Sequence, residues 1–289
     1  MKRYTTLLEA IYRLYEHSGF AMAGAVAYAA VVSLFPFCIF LGAVAGVIGG
    51  RPLATQAIEG LFQILPPDVA RSLAPQVDAI MGSSRIDLLT VGGGIALFFA
   101  TSAVETLRAA LNGAYRQRET RPYLMMLLLA MLFVFVSALS MLALTWLVVV
   151  GPGLAARFEP SWLKDLLDST WLTASFRYAT GAIVMVAQLK VLHLWLAAGK
   201  RRIADVWPGI LLTTVLWLAA AGLYSHYLSF SDYSRFYAGL TQMMVALIFF
   251  QVSAVIVILG AELNRGIMEL KKLANGNGLG DATPPGGVR

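Results

Sequence analysis

The chain has 289 residues, of which 58% are hydrophobic and 13% are charged, and its formal net charge is +6 at pH 7. A soluble domain carries nearer one quarter charged residues, so this composition argues against a soluble globular protein. The apolar residues fall into six stretches, at 21–48, 88–112, 123–150, 172–197, 204–228 and 237–262. Because about 20 apolar residues cross a bilayer as a helix, the sequence predicts an all-α, polytopic bundle of six transmembrane helices.

Residues 1–19 precede the first apolar stretch and carry Leu7, Ile11 and Leu14 at helical spacing. This spacing predicts a short amphipathic helix on the inner membrane surface, with a solvated helical lead-in as the equal alternative. At the other end, residues from Ala274 onward are rich in Gly, Asn and Pro, which is typical of disorder. The predicted organisation is a cytoplasmic lead-in (1–19), a transmembrane domain (20–265) and a cytoplasmic, partly disordered tail (266–289).

The first apolar stretch contains Pro36 near its middle. Proline removes a backbone donor and clashes with the preceding turn, so a kink is predicted there. A packing kink alone is the favoured interpretation, and a broken helix of the kind that often builds transporter sites is the alternative. Tyr28 and Ser33 add polar groups around the proline, and Gln251 places an amide, predicted to be buried, near the middle of the last stretch.

Two longer segments separate apolar stretches on the predicted outer side. Segment 49–87 has apolar residues at helical spacing before and after Pro66–Pro67, which predicts two short amphipathic helices. They cap the bundle or, alternatively, form a substrate lid. Segment 151–171 holds Trp162 and Trp171, and tryptophan is typical of the headgroup boundary.

The positive charge follows the predicted topology. The first, third, fifth and last segments outside the apolar stretches hold 13 of the 22 Lys and Arg residues, and the alternate segments hold 6. Short loops rich in Lys and Arg stay in the cytoplasm. The sequence therefore predicts a multi-pass protein of the bacterial inner membrane with both termini in the cytoplasm, and the charge does not indicate nucleic-acid binding.

Ionisable residues lie near the inner ends of three apolar stretches. Glu105 and Arg108 are three residues apart, and so are Lys190 and His193. Glu262 and Arg265 have the same spacing at the end of the last stretch, which places each acid and base on one helix face. Ionisable groups at membrane depth are expensive and tend to face the interior of a bundle. They predict a polar cytoplasmic vestibule; the alternative is that the cations reach the interface and the acids pair with them. The candidate substrate- or ion-binding residues are Glu105, Arg108, Lys190, His193, Glu262, Asn264, Arg265, Tyr28, Ser33, Pro36 and Gln251.

Motifs for enzymatic chemistry are missing from the sequence. The three histidines lack metal-ligand spacing, and there is neither a nucleotide-binding loop nor a Gly-x-Ser-x-Gly motif. We therefore predict no catalytic residue, no metal site and no cofactor.

Four segments carry a resemblance to a known family. They are AVAYAAVVSLFPF at 25–37, ETLRAALNGAYR at 105–116, GKRRIADVWPGILLTTVLW at 199–217 and FYAGLTQMMVALIFFQVSAVIVILGAELNR at 236–265. They resemble the YihY/BrkB family of bacterial inner-membrane proteins. The resemblance implies six membrane helices, and it links the chain loosely to envelope lipid traffic. Family members have also been labelled ribonuclease BN, a label that fits poorly because no cluster for two catalytic metals is visible.

The leading hypothesis is a transporter or flippase for an anionic amphiphile of the envelope, with membrane lipids as partners. Glu105 and Glu262 would carry protons, and Arg108, Lys190 and Arg265 would hold the headgroup. The alternative is a non-transporting scaffold in envelope biogenesis, and a membrane-bound ribonuclease ranks last. The sequence gives no oligomeric state.

Overall fold

The computed structural model describes residues 4–64, 86–149, 170–230 and 241–280. Within these ranges the chain is helical and contains no strand. The helices are α1 (Tyr4–Glu16), α2 (Gly19–Ile64), α3 (Ile86–Tyr115), α4 (Tyr123–Val149), α5 (Thr170–Val191, followed by a π-helical turn at Leu192–Leu196), α6 (Ile203–Phe230) and α7 (Thr241–Gly280).

Six helical segments of the described chain are long and apolar enough to cross a membrane. They are Gly19–Gly50, Gly93–Tyr115, Tyr123–Leu144, Ala179–Leu196, Ile203–Ala220 and Met244–Ala274. Each matches one of the six predicted apolar stretches, so the predicted all-α bundle of six membrane helices is confirmed.

The interruption in α2 is not at the proline. The non-helical backbone angles inside α2 belong to Gly49 and Gly50, and Gly50 has a φ of 69°. Pro36 lies inside the helix with helical angles, so the alternative of a span broken at the proline is wrong, and the packing kink stays a prediction. The glycines allow the change because a residue without a Cβ tolerates positive φ.

Both longer predicted outer segments are only partly described. Residues 51–64 continue α2 as a helix after Gly50, in the place of the first predicted amphipathic helix. The second predicted helix and Trp162 lie outside the described residues. At the carboxyl end, α7 continues through Ala274 to Gly280, where the sequence predicted disorder.

Helices α2, α3 and α7 form the centre of the bundle. Helix α4 packs on α2 and α3, α6 packs on α7, and α5 lies between α4 and α6. Helix α1 contacts α7 and α2. One buried apolar cluster surrounds Leu41 and Ala57, and the other surrounds Leu14, Leu111 and Ile210. We call the end of the bundle that carries α1 and the connections 116–122 and 197–202 the basic end.

Helices α6 and α7 cross at a pair of glycines. A Cβ added at Gly209 would overlap the Gly260 carbonyl oxygen and the Asn264 side chain. A Cβ added at Gly260 would overlap the hydroxyl of Thr213. Small residues allow membrane helices to approach this closely, and the crossing brings Asn264 against the backbone of α6.

Candidate functional site

Six polar side chains are buried together at the basic end, just inside the connections that join the helices there. Buried polar groups need hydrogen-bond partners, so their bonds fix how the helices meet. We call this set the buried polar cluster. Its members are Arg108, Asn112, Tyr115, His193, Glu262 and Asn264.

Tyr115 is the centre of the first set of bonds. Its hydroxyl lies 2.7 Å from His193 Nδ1, and Asn264 Nδ2 donates to the same hydroxyl at 3.1 Å. Asn264 Oδ1 in turn accepts from the backbone amide of Gly209 at 2.6 Å. Because the four residues lie on α3, the π-helical turn, α7 and α6, this chain of bonds ties four elements together.

The other ring nitrogen of His193 has no partner. The Tyr115 oxygen accepts from Asn264 and shares a hydrogen bond with His193 Nδ1, so it joins two side chains at once. His193 Nε2 is buried without a hydrogen-bond partner among the described residues.

Arg201 closes the π-helical turn from the outside. Its guanidinium lies 3.7 Å from the centre of the Tyr115 ring, a cation–π contact. It also donates to the carbonyls of His193, at 2.5 Å, and Ala198. Burial lowers the pKa of Arg201. A cation is favourable here because the last carbonyls of a helix carry partial negative charge.

Glu119, in the connection after α3, is the centre of the second set of bonds. It accepts from Arg121 Nε at 2.8 Å and Nη2 at 2.9 Å, and from Arg108 Nη1 at 2.8 Å. Asn112 Nδ2 donates to it at 3.2 Å. The hydrogen bond from Arg121 lowers the pKa of Glu119 to about 2, so the carboxylate is charged at neutral pH.

The same residues clamp the end of α5 to α3. Arg121 donates to the carbonyls of Trp195, at 2.9 Å, and Leu196, at 2.8 Å. Asn112 Oδ1 accepts from the backbone amide of Ala198 at 2.6 Å. The π-helical turn is therefore held by side chains from α3 and its following connection.

Glu262 makes an ion pair with Arg116 that contains a single hydrogen bond. Its side chain is 2% exposed, and Oε1 accepts from Arg116 Nη1 at 2.6 Å. Glu262 Oε2 and Arg116 Nη2 are both buried and have no hydrogen-bond partner among the described residues. Arg116 follows the last residue of α3 with a φ of 53°, which directs the chain away from the helix.

Ion pairs and one cation–π contact lie on the surface of the bundle near the cluster. Arg265 Nη2 lies 2.6 Å from Glu269, which also pairs with Arg13 of α1 at 2.7 Å. Lys190 of α5 lies over the ring of Trp207 at 4.9 Å from the centroid. These contacts join α1 to α7 and α5 to α6.

The structure brings together only part of the predicted site. Glu105 and Arg108 are 3.9 Å apart, as expected from their spacing. Glu262 does not pair with Arg265, the residue three positions after it, but with Arg116. Arg265 pairs with Glu269. Lys190 lies outside the cluster, on Trp207. The structure buries the side chains of Arg108, His193, Glu262 and Asn264. A shared polar vestibule stays a prediction.

The predicted candidates in the first and last spans are scattered. Ser33 is buried, and its hydroxyl lies 2.7 Å from that of Ser102, which joins α2 to α3. Tyr28 is 67% exposed. Gln251 is exposed on α7, so its predicted burial is wrong. Pro36 is half-buried within α2.

Sequence reasoning missed five residues that hold the basic end together. Asn112, Tyr115 and Arg116 lie in the segment at 105–116 that carried the family resemblance, and Glu119 and Arg121 follow it. The sequence signal that could have indicated them is that Glu119 is the one acid in the connection 116–122, which also holds three arginines. Among the described residues there is no group of three or more His, Cys, Asp or Glu side chains that could hold a metal ion.

Comparisons with known proteins cover most of the chain. The family described as "Virulence factor BrkB" matches residues 10–283. A relative from Bacillus subtilis (strain 168), named as the ribonuclease-like protein YfkH, is 28% identical over 266 residues, which are 90% of this chain and 94% of the relative. No solved structure matches.

Proposed function

Because the chain belongs to the virulence factor BrkB family and is a multi-pass membrane protein, we propose that it moves an anionic amphiphile across the bacterial inner membrane. The amphiphile is a lipid-like component of the envelope. The basic end faces the cytoplasm in this proposal, since its connections carry the excess of Lys and Arg.

The observation that carries the proposal is the buried contact between Glu262 and Arg116. It has one hydrogen bond of 2.6 Å, and within the described part of the chain Glu262 Oε2 and Arg116 Nη2 are buried without a hydrogen-bond partner. An unsatisfied buried charged group costs about 1–3 kcal/mol or more. A protein that needed only to join two helices would do so more cheaply with apolar groups. Ionisable groups kept at this depth mark substrate or ion pathways.

The unpartnered atoms are suited to an anionic headgroup. Arg116 Nη2 is a guanidinium donor, and guanidinium binds phosphate and carboxylate through charge-assisted hydrogen bonds. A headgroup at Arg116 competes with Glu262 for the same cation. Protonation of Glu262 would release Arg116 to the headgroup, so the pair can couple substrate binding to a proton.

A second candidate function is a membrane scaffold. The observation that favours it is the chain of bonds from His193 through Tyr115 and Asn264 to Gly209, which joins four elements in one packed arrangement. A scaffold needs this rigidity, whereas a carrier must loosen some contacts in each cycle.

The name of the Bacillus subtilis relative raises ribonuclease activity as a third reading. Metal-dependent RNA cleavage uses carboxylates or histidines grouped around two ions. The described residues contain no such group, so the reading has no site to support it.

Transport is tested with purified protein in proteoliposomes. Fluorescently labelled phosphatidylglycerol is incorporated, and dithionite is added to reduce the label on the outer leaflet. A carrier makes the inner-leaflet label accessible faster than protein-free liposomes do. Glu262→Gln should lose most of this rate while eluting as the same folded species.

The matched control is Glu269→Gln, which removes a carboxylate from a more exposed ion pair on the same helix. It should transport like the unmodified chain. Equal rates for the unmodified protein and protein-free liposomes would reject transport of this lipid class and favour the scaffold. Loss of folded protein in Glu262→Gln would make the pair structural.

A further inference from the structure

The two connections at the basic end lie against each other. Gly199 has a φ of 93°, and a Cβ there would lie 3.0 Å from the side chain of Gln117, so only glycine allows this approach. The backbone amide of Ala198 donates to Asn112 beside it. Arg118 and Lys200 therefore flank one point of contact, since they are the next residues after Gln117 and Gly199.

These connections carry far more positive than negative charge. Residues 116–122 and 197–202 hold six cations and one acid, Glu119. Three of the cations are engaged in the contacts described above. The other three are exposed, and we call them the rim cations: Arg118, Lys200 and Arg202. Their side chains make no hydrogen bond or close ion pair with a described residue, although the charge of Arg202 attracts the nearby Asp205. Asp205, the next acid in sequence after Arg202, is bonded to Lys271.

The rim cations lie at the level where the membrane ends. Spans end at Tyr115 and Leu196 and begin again at Tyr123 and Ile203, so each connection is only six or seven residues long. Large aromatic side chains surround the connections on the outer surface of the bundle. Tyr123, Trp195 and Trp207 are exposed, and Trp195 is 70% exposed. Exposed aromatics of this kind are typical of the headgroup region.

We infer that the rim cations bind the phosphate headgroups of anionic phospholipids from the surrounding leaflet, with the acyl chains along Trp195 and Tyr123. The charge complementarity favours an anion, and the short connections place the cations within reach of a headgroup. The neighbouring exposed aromatics favour a lipid over a soluble anion, because their rings contact glycerol and upper acyl carbons. This site is separate from the buried Glu262–Arg116 pair.

The inference does not depend on the proposed transport. A rim site would bind lipid in a carrier or in a scaffold, because it lies on the surface and uses none of the cluster's bonds. A bound lipid there would also shield the unpaired charge that the two connections bring together. Binding, and not flux, is therefore the quantity to measure.

The experiment is native mass spectrometry of the full chain in neutral detergent, titrated with phosphatidylglycerol or phosphatidylcholine of identical acyl chains. The test variant is Arg118→Gln/Lys200→Gln. The control variant is Lys272→Gln/Arg289→Gln, which loses the same charge from the carboxyl-terminal part of the chain and keeps the Lys271–Asp205 pair next to Arg202. The melting temperature with and without each lipid is the second readout.

The unmodified chain should bind phosphatidylglycerol more tightly than phosphatidylcholine. The test variant should lose affinity for phosphatidylglycerol by about 30-fold, at about fivefold for each cation. The control variant should keep it, and the lipid-dependent rise in melting temperature should follow the same pattern.

Three results would overturn the inference. Equal loss in both double variants would mean that net charge alone attracts the lipid. Equal affinity for the two lipids would remove the role of headgroup charge. Glycerol phosphate binding as tightly as the intact lipid would make the site one for a soluble anion. An Arg202→Gln variant with intermediate affinity would support the assignment of all three cations to one patch.

Discussion

Replacing Glu119 by Gln should destabilise the basic end. Glu119 accepts three guanidinium N–H bonds at 2.8–2.9 Å and a fourth bond from Asn112, and its side chain is 18% exposed. Glutamine keeps one acceptor oxygen but turns an NH₂ donor toward the donors of Arg108 or Arg121. Two guanidinium groups would then lack a counter-charge.

The magnitude follows from the burial. Removing one partner of a buried ion pair costs about 3–5 kcal/mol, and the residual exposure of Glu119 favours the lower end, about 3 kcal/mol. At about 2 °C per kcal/mol for a chain of this size, the melting temperature should fall by about 6 °C. Because Arg121 also holds the carbonyls of Trp195 and Leu196, amide hydrogen exchange should rise in the π-helical turn.

The assay is thermal unfolding of the purified protein in detergent, with hydrogen exchange measured by mass spectrometry. Glu16→Gln is the control, because Glu16 is an exposed acid at the end of α1. Its melting temperature should change by about 1 °C or less. The proposed role of Glu119 in holding the end of α5 is refuted if Glu119→Gln has the same melting temperature as Glu16→Gln. It is also refuted if amide exchange rises evenly over the chain.

Two further predictions use the same measurement. The pKa of Glu119 is lowered from 4.5 to about 2, so its stabilising effect is complete above pH 4.5 and is lost as the pH falls toward 2. Over that interval the melting temperature of the unmodified chain should fall, and that of Glu119→Gln should fall less. Parallel curves for the two proteins would contradict the ion pairing of Glu119. Gly209→Ala should lower the melting temperature by about 2–6 °C because its Cβ overlaps the α7 backbone. Gly222→Ala, at an open position on the same helix, should not lower it.

The sequence predicts the membrane helices well because their signal is local. Length and hydropathy are properties of a stretch of chain, and each predicted stretch overlaps a helix of the structure. The short connections at 116–122 and 197–202 were equally visible, since they are the polar breaks between the stretches.

The partners of the charged residues could not be predicted, because they depend on how the helices rotate and meet. The spacing of Glu262 and Arg265 suggested a pair within one helix, but Arg116, 146 positions away, reaches Glu262 first. The same rotation turns Gln251 outward, although its place in the middle of a span suggested burial.

Irregular backbone was the other source of error. The break in α2 follows from two consecutive glycines, Gly49 and Gly50, and not from Pro36, because a helix in a bundle can absorb a proline while keeping helical angles. The π-helical turn at the end of α5 has no proline or glycine to announce it. There, Arg121 and Arg201 donate to carbonyls of the turn, and Asn112 accepts from the Ala198 amide just after it.

The glycine crossing has a consequence for biogenesis. The polar side chain of Asn264 would be costly in hydrocarbon if α7 entered the membrane without a partner. Its oxygen accepts from the Gly209 amide of α6, the helix synthesised just before α7. The two can therefore enter the bilayer as a hairpin that already shields this amide. Tyr115 is synthesised much earlier, and the Asn264 side chain that donates to its hydroxyl belongs to the last helix. The earlier part of the bundle at this end thus becomes complete only when the final span has been translated.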